Sequence, residues 1–114
     1  LISTTMHWSL FLLLWWLPSF TYYSLIIRIR NISEHAVTPG NNDFDNTRTT
    51  KSTVLTRFLM VPHNVNYHLE HHLFTRCPWY NLPKAHSMMI ENGYEDKMCL
   101  ETSYKKVLSK AVSA

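Results

Sequence analysis

The sequence predicts a mainly α-helical membrane protein, in which one transmembrane helix extends into a small helical cap with loops. The charge distribution supports this prediction, because all 11 basic and 8 acidic residues lie at or after Arg28. The hydropathy pattern supports it as well, because the segment from Trp8 to Ile27 is uncharged and largely apolar. A helix of that length spans about 30 Å, the thickness of a bilayer core.

This apolar segment has two alternatives to a transmembrane helix: a signal peptide and a buried helix of a soluble protein. A secretory signal peptide carries its positive charge before the apolar run, whereas Arg28 and Arg30 follow it here. A buried helix of a soluble protein stays open, but residues 28–114 offer too little apolar surface to surround it. By the positive-inside rule, the two arginines place residues 28–114 in the cytoplasm.

Proline 18 lies inside the predicted span and is expected to kink it. Neighbouring hydroxyl groups can satisfy the carbonyls that a proline frees in a membrane helix. The sequence offers three such groups, on Ser19, Thr21 and Ser24.

Composition divides the chain into three predicted segments. These are the transmembrane helix with its cytoplasmic extension (1–36), a polar loop with a short interfacial segment (37–63), and a cytoplasmic histidine-bearing cap with C-terminal helices (64–114). Turn-forming residues at 38–43 end the extension. Within the other segments, the predictions are a strand or interfacial stretch at 54–61, a short helix at 64–73, and amphipathic helices at 84–92 and 96–111.

The overall charge gives no reason to expect a nucleic-acid partner. The formal net charge is +3, and no run or stripe of Lys and Arg appears. Cys77 and Cys99 form neither a metal-type spacing nor a disulfide framework, which fits a reducing compartment.

Histidines are the residues of this sequence best placed to bind a metal ion. On a helix, His71 lies about 60° to one side of His68 and His72 lies about 40° to the other side, so that all three imidazoles share one face. Such a face can bind one or two transition-metal ions, since imidazole suits Fe, Zn, Cu and Ni. The alternative is a surface cluster of partly protonated histidines. The HExxH order of zinc proteases is absent.

A second pair, Asn31 and His35, lies just beyond the predicted span. The two residues are four apart and therefore share a helix face. His35 stands about 12 Å beyond Ile27 along the helix axis. Taken alone, a histidine at such a position is more often an ordinary surface residue.

These motifs resemble a known family. The run from Tyr67 to Phe74, Tyr-His-Leu-Glu-His-His-Leu-Phe, resembles the third histidine box (HxxHH) of the integral-membrane fatty acid desaturases. The stretches 28–36, 47–50 and 82–86 are also similar to the C-terminal region of that family and occur in the same order. The resemblance covers roughly Trp8 to His86.

The resemblance implies a di-iron oxidoreductase with two non-haem iron ions and O2 as co-substrate. In this family the iron centre removes hydrogen from an acyl lipid and leaves a C=C bond, with electrons from a ferredoxin or cytochrome b5-type donor. By position, the implied metal ligands are His35, His68, His71 and His72, and Asn31 binds near the second iron through a water.

Three further residues are candidates for supporting these ligands. Glu34 and Glu70 can orient ring N–H groups of metal-bound histidines, although solvent exposure is an equal alternative for each. His86 is either a neighbour of the site or a surface residue.

The first two histidine boxes of the family are absent from these 114 residues. Four histidine ligands cannot hold two irons, so the chain is expected to be the C-terminal part of a larger multi-span enzyme and to be inactive alone. Two other functions stay open. One is a di-iron lipid or carotenoid hydroxylase or ketolase, and the other is a non-catalytic single-span protein whose histidines bind zinc or nothing.

Overall fold

The computed structural model describes residues 7–113, so residues 1–6 of the first predicted segment and Ala114 of the last lie outside the described part. The fold is mainly helical, as predicted. Its helices are α1 (Trp8–His35), α2 (Val54–Leu59), α3 (His68–Leu73), α4 (Leu82–Glu91) and α5 (Tyr104–Ser113), and its strands are β1 (Thr49–Thr50) and β2 (Leu100–Glu101). Short 3-10 turns at Trp79–Asn81 and Glu95–Lys97 complete the order.

Helix α1 contains the predicted span and its extension. Within residues 7–113, it is the one helix that is long and apolar enough to cross a membrane. It continues through Pro18, between two π-helical segments at Leu12–Trp16 and Ser19–Tyr23. The wider π turn accommodates a residue that lacks an N–H and crowds the carbonyl four positions earlier.

Side-chain hydroxyls beside Pro18 hydrogen-bond the helix backbone, as the sequence predicts. The Ser19 hydroxyl donates to the Trp15 carbonyl at 2.6 Å, and the Thr21 hydroxyl donates to the Leu17 carbonyl at 2.6 Å. These two hydroxyl groups therefore find acceptors in the backbone of the helix itself.

Of the two alternatives predicted for 54–61, the strand is wrong, because residues 54–59 form helix α2, and the interfacial stretch stays a prediction. Thr53 explains the difference: its hydroxyl oxygen accepts a hydrogen bond from the Thr56 N–H at 3.1 Å and caps the helix. The apolar, β-branched residues of this stretch favour a strand, but the cap at Thr53 favours the helix that forms.

Two other predicted helices begin at different residues in the structure. The helix predicted from residue 64 begins at His68, because His63 and Asn64 adopt positive φ angles of 58° and 55°. The helix predicted at 84–92 begins at Leu82, since Pro83 is accommodated in its first turn.

The prediction of a helix over 96–111 is wrong in its first half, because the helix begins at Tyr104. Residues Leu100–Glu101 instead form β2, which runs parallel to β1. The Ser103 hydroxyl accepts from the Lys106 N–H at 3.3 Å, and this contact fixes the start of α5. The predicted polar loop likewise contains a strand, β1, whose Thr49 pairs with Leu100.

A small apolar core supports α3 from one side. It is centred on Leu69, Met89 and Met98, with Phe44, Leu73, Ile90 and Leu100 packed around them. Because Leu69 is fully buried there, the opposite side of α3 faces away from the core and carries exposed histidines.

Candidate metal centre

Three imidazoles from two distant parts of the chain converge on one point. His35 ends α1, whereas His68 and His72 lie one turn apart on α3. The His68 Nε2 atom is 3.0 Å from His35 Nε2 and 3.1 Å from His72 Nε2. One nitrogen from each ring lies within 4.8 Å of the other two, which is a spacing that can hold a metal ion.

The donor set fits a transition-metal ion better than it fits hydrogen bonding alone. An imidazole nitrogen carries either one hydrogen or one lone pair, so His68 Nε2 cannot form two good hydrogen bonds to His35 and His72. An ion about 2.1 Å from each nitrogen places neighbouring ligand nitrogens about 3.0–3.4 Å apart. Imidazole ligands suit Fe, Zn, Cu and Ni.

The pKa values of two histidines in this cluster, His68 and His72, are lowered. Burial, followed by the nearby imidazoles of His72 and His35, lowers the pKa of His68 to about 3. Burial, followed by His35 and His71, also lowers the pKa of His72. The neutral imidazole is the form that binds metal, so both shifts favour occupancy.

The predicted ligands His71 and Asn31 lie beside the cluster. The ring centre of His71 is 6.0 Å from that of His68, compared with 4.6 Å between His68 and His72. Its nitrogens fall outside the three-ring group. Asn31 is exposed one turn before His35. The assignment of both residues as ligands stays a prediction.

Glu34 lies behind the cluster. Its Oε1 atom accepts from Arg30 Nε at 3.1 Å, and its Oε2 atom is 3.8 Å from His68 Nε2. Burial raises the pKa of Glu34, and Arg30 partly offsets that effect. This carboxylate is therefore close to His68 without a direct hydrogen bond to it.

Arg48 ties β1 to the end of α1. This side chain is only 4% exposed, and it donates to the carbonyls of Ser33 at 3.2 Å and Val37 at 2.9 Å. The Arg48 N–H donates to the carbonyl of Glu34 at 2.9 Å. The last carbonyls of a helix lack partners within the helix, so Arg48 satisfies them and fixes where His35 lies.

Thr49, the first residue of β1, binds α3. Its hydroxyl donates to the fully buried carboxylate of Glu70, and its oxygen accepts from the Leu69 N–H at 3.3 Å. Glu70 also accepts from His86 Nδ1 at 2.6 Å, which links α3 to α4. The hydrogen bonds of Glu70 thus go to Thr49 and His86 and not to a histidine of the cluster. Glu70 and His86 therefore support the helix that carries His68 and His72.

The segment 48–50 thus joins the two helices that carry the histidines: Arg48, just before β1, contacts α1, and Thr49 in β1 contacts α3. Sequence reasoning did not single out either residue for this role. A short Thr-Arg-Thr-Thr run in a polar loop carries no periodicity, and the burial of its side chains appears only in the folded chain.

Comparison with known proteins adds one finding. The sequence model of a family described as "Fatty acid desaturase" matches residues 1–101 of the 114-residue chain. The match includes both histidine stretches and both strands. No curated protein and no solved structure gives a significant match. The resemblance predicted from the histidine motifs is therefore confirmed, and it extends beyond His86.

Proposed function

Since the chain belongs to the fatty acid desaturase family, we propose that it carries part of the iron site of an oxygen-dependent acyl lipid desaturase. Family membership supports a desaturase-like oxidoreductase that acts on lipid in a membrane setting. One observation supports the metal site itself: the Nε2 atoms of His35, His68 and His72 converge from stretches more than thirty residues apart.

The metal in this proposal is iron. Removal of hydrogen from an unactivated methylene needs a redox-active ion, and Zn²⁺ has no redox chemistry. When bound, two non-haem irons would supply O2 activation for that oxidation. The chain's own residues would hold the site: His35, His68 and His72 would supply ring nitrogens as ligands, and Arg48 and Thr49 would keep α1 and α3 in position.

The other ligands in this proposal come from two sources. His71 and Asn31 border the cluster and would serve the second iron, with Asn31 acting through a water. His35, His71 and His72 are exposed, which leaves room for histidines from outside these 114 residues. The chain would then be one part of a multi-span enzyme, and the 114 residues alone would be inactive.

Glu34, Glu70 and His86 complete the proposed site as supporting residues. Glu34 lies close enough to His68 to favour its position, whereas Glu70 and His86 brace α3 from behind. Substrate and electrons would reach the site from an acyl lipid in the membrane and from a ferredoxin or cytochrome b5-type donor. Residues 28–114 would lie in the cytoplasm, following Arg28 and Arg30.

Iron analysis of the purified full-length protein tests the proposal. We expect about two irons per chain in the unmodified protein, and loss of both iron and activity in His68→Ala. His63→Ala is the matched control, because His63 packs against Trp79 outside the cluster. Zinc in place of iron, or full iron retention in His68→Ala, would contradict the proposal.

Product analysis separates desaturation from hydroxylation by the same kind of site. The reaction is run under oxygen-18 and the lipid product is examined by mass spectrometry. Desaturation leaves no label in the lipid, whereas label retained as a hydroxyl or keto group would reject the desaturase assignment.

A further inference from the structure

Helix α2 presents an apolar face that the rest of the described chain leaves uncovered. Val54 is 85% exposed, Leu55 is 66% exposed and Phe58 is 81% exposed. On a helix these three residues lie within about 100° of one another, so they form one continuous stripe. A contiguous exposed apolar stripe of this kind marks a surface that meets lipid or another apolar partner.

A hydrogen bond to α1 indicates which partner this is. The Tyr22 hydroxyl donates to the carbonyl of Leu59, the last residue of α2, at 2.5 Å. Tyr22 belongs to the proposed span, five residues before Ile27, which is about 7.5 Å along the helix axis. Amphipathic helices that lie on a membrane bury their apolar face about 5–10 Å into the headgroup boundary. Contact with Tyr22 therefore holds α2 at the depth of that boundary.

The ends of α2 are suited to an environment with little water. The Thr53 oxygen accepts from the Thr56 N–H at the first turn, and Tyr22 satisfies the Leu59 carbonyl at the last. Backbone groups at helix ends otherwise depend on water, which is scarce at this depth.

The charges beside α2 also match a lipid surface. Lys51 and Arg57 are both exposed, and Arg57 Nε donates to the hydroxyl of Ser52 at 3.2 Å, next to the start of the helix. Long basic side chains at the edge of an apolar helix face reach phosphate headgroups while their stems stay in the apolar layer.

We propose that α2 is an interfacial helix whose Val54, Leu55 and Phe58 side chains insert into the cytoplasmic leaflet of the bilayer. This inference rests on the proposed membrane span and goes beyond the desaturase assignment. It gives α2 a mechanical role, because residues 60–67 connect it directly to α3 and include the fully buried Val61. The lipid surface then fixes the distance from the membrane at which α3, the helix that carries His68 and His72, lies.

The test uses single cysteines in the full-length protein, with all native cysteines, including Cys77 and Cys99, replaced by serine. Phe58→Cys, Leu13→Cys and Asp43→Cys are each labelled with a small fluorophore. The proteins are reconstituted into phosphatidylcholine vesicles whose lipids carry bromine either near the headgroup or near the chain end. Leu13 is the control for the span, and the exposed, charged loop position Asp43 is the control for water.

We expect the label at position 58 to lose fluorescence mainly with lipid brominated near the headgroup, and the label at position 13, which lies five residues inside the other end of the proposed span, to be quenched by brominated lipid and not by iodide. The label at position 43 should respond to aqueous iodide alone. If position 13 is quenched by lipid and position 58 only by iodide, α2 lies in water and the inference fails while the span stands. If neither lipid nor iodide quenches position 58, a protein segment covers α2, which also overturns it. If position 13 is not quenched by lipid, the span and the inference fail together.

Discussion

The two halves of α1 have opposite relations to their surroundings. From Trp8 to Pro18, every residue is exposed although most are apolar. Near its other end, α1 buries two polar residues, Ser33 and Glu34. One helix therefore exposes apolar side chains, which a soluble protein buries, and buries polar side chains, which a soluble protein exposes.

This difference shows which partner each half is built for. An exposed apolar half needs no specific contacts when its solvent is lipid, so its sequence has only to be apolar and long enough. A buried polar half needs hydrogen-bond partners for its backbone, since an unpaired buried group is costly. Arg48 supplies such partners for the carbonyls of Ser33 and Glu34. The first half therefore depends on composition, and the second half depends on particular residues.

The largest effect is expected from a charge in the apolar half. Leu17→Arg places a cation near the middle of the proposed span and should make membrane insertion less favourable by about 3 kcal/mol. A glycosylation-mapping assay of insertion measures this. Val112→Arg is the control, because Val112 is 89% exposed but belongs to α5. An equally small effect at both positions would mean that the exposed half of α1 does not face lipid.

Loss of the buried arginine comes next. Arg48→Met keeps the length of the side chain but leaves the carbonyls of Ser33 and Val37 without their donor, so the free energy of unfolding should fall by about 2 kcal/mol. Iron retention in the full-length protein should fall as well, because His35 loses its fixed position. Chemical denaturation in detergent measures the first and metal analysis the second. Lys84→Met, at an exposed position, should leave both unchanged.

A smaller effect is expected from one hydroxyl of β1. Thr49→Val removes the donor to Glu70 and the acceptor for Leu69 N–H while preserving shape, which should cost about 1 kcal/mol of unfolding free energy. Thr50→Val is a matched control: Thr50 is adjacent and buried, and its side chain makes neither of these contacts with α3. If the two variants lose the same stability in a denaturant titration, the hydroxyl of Thr49 is not what joins β1 to α3.

The smallest effect is expected from the ion pair between β2 and α5. The hydrogen bond from Lys110 lowers the pKa of Glu101, so the folded state binds that proton less tightly than the unfolded state does. The stabilisation is therefore complete above the usual pKa of glutamate, about 4.3, and is lost as the pH falls through the lowered value. Glu101→Gln should lower the melting temperature slightly near neutral pH, and this difference should close in acid. A difference that stays constant with pH would contradict the ion pair.

The sequence predicts α1 well because its signals are long and additive. A charge-free run from Trp8 to Ile27 followed by Arg28 needs no tertiary information to be interpreted. Its continuation to His35 follows from the absence of a turn signal before residue 38. For the same reason, the spacing of His68 and His72 on one helix face could be read from the sequence directly.

The meeting of α1 and α3 could not be predicted in this way. It depends on two-residue strands, too short for any alternation to appear, whose partners lie far apart in the sequence. Helical spacing also groups His71 with its neighbours, but α1 approaches α3 on the side of His68 and His72 and leaves His71 at the edge. The errors at α2 and α5 have local causes, since Thr53 and Ser103 decide where each helix begins.

The pairing of β1 with β2 has a consequence for the order in which the protein matures. Thr49 and Thr50 find their partner strand only after Glu101 has left the ribosome, although the three clustered histidines emerge well before it. Until then the two histidine-bearing helices lack their common support. If the chain binds metal as proposed, metal uptake is expected to be a late event in biosynthesis, after completion of the second strand.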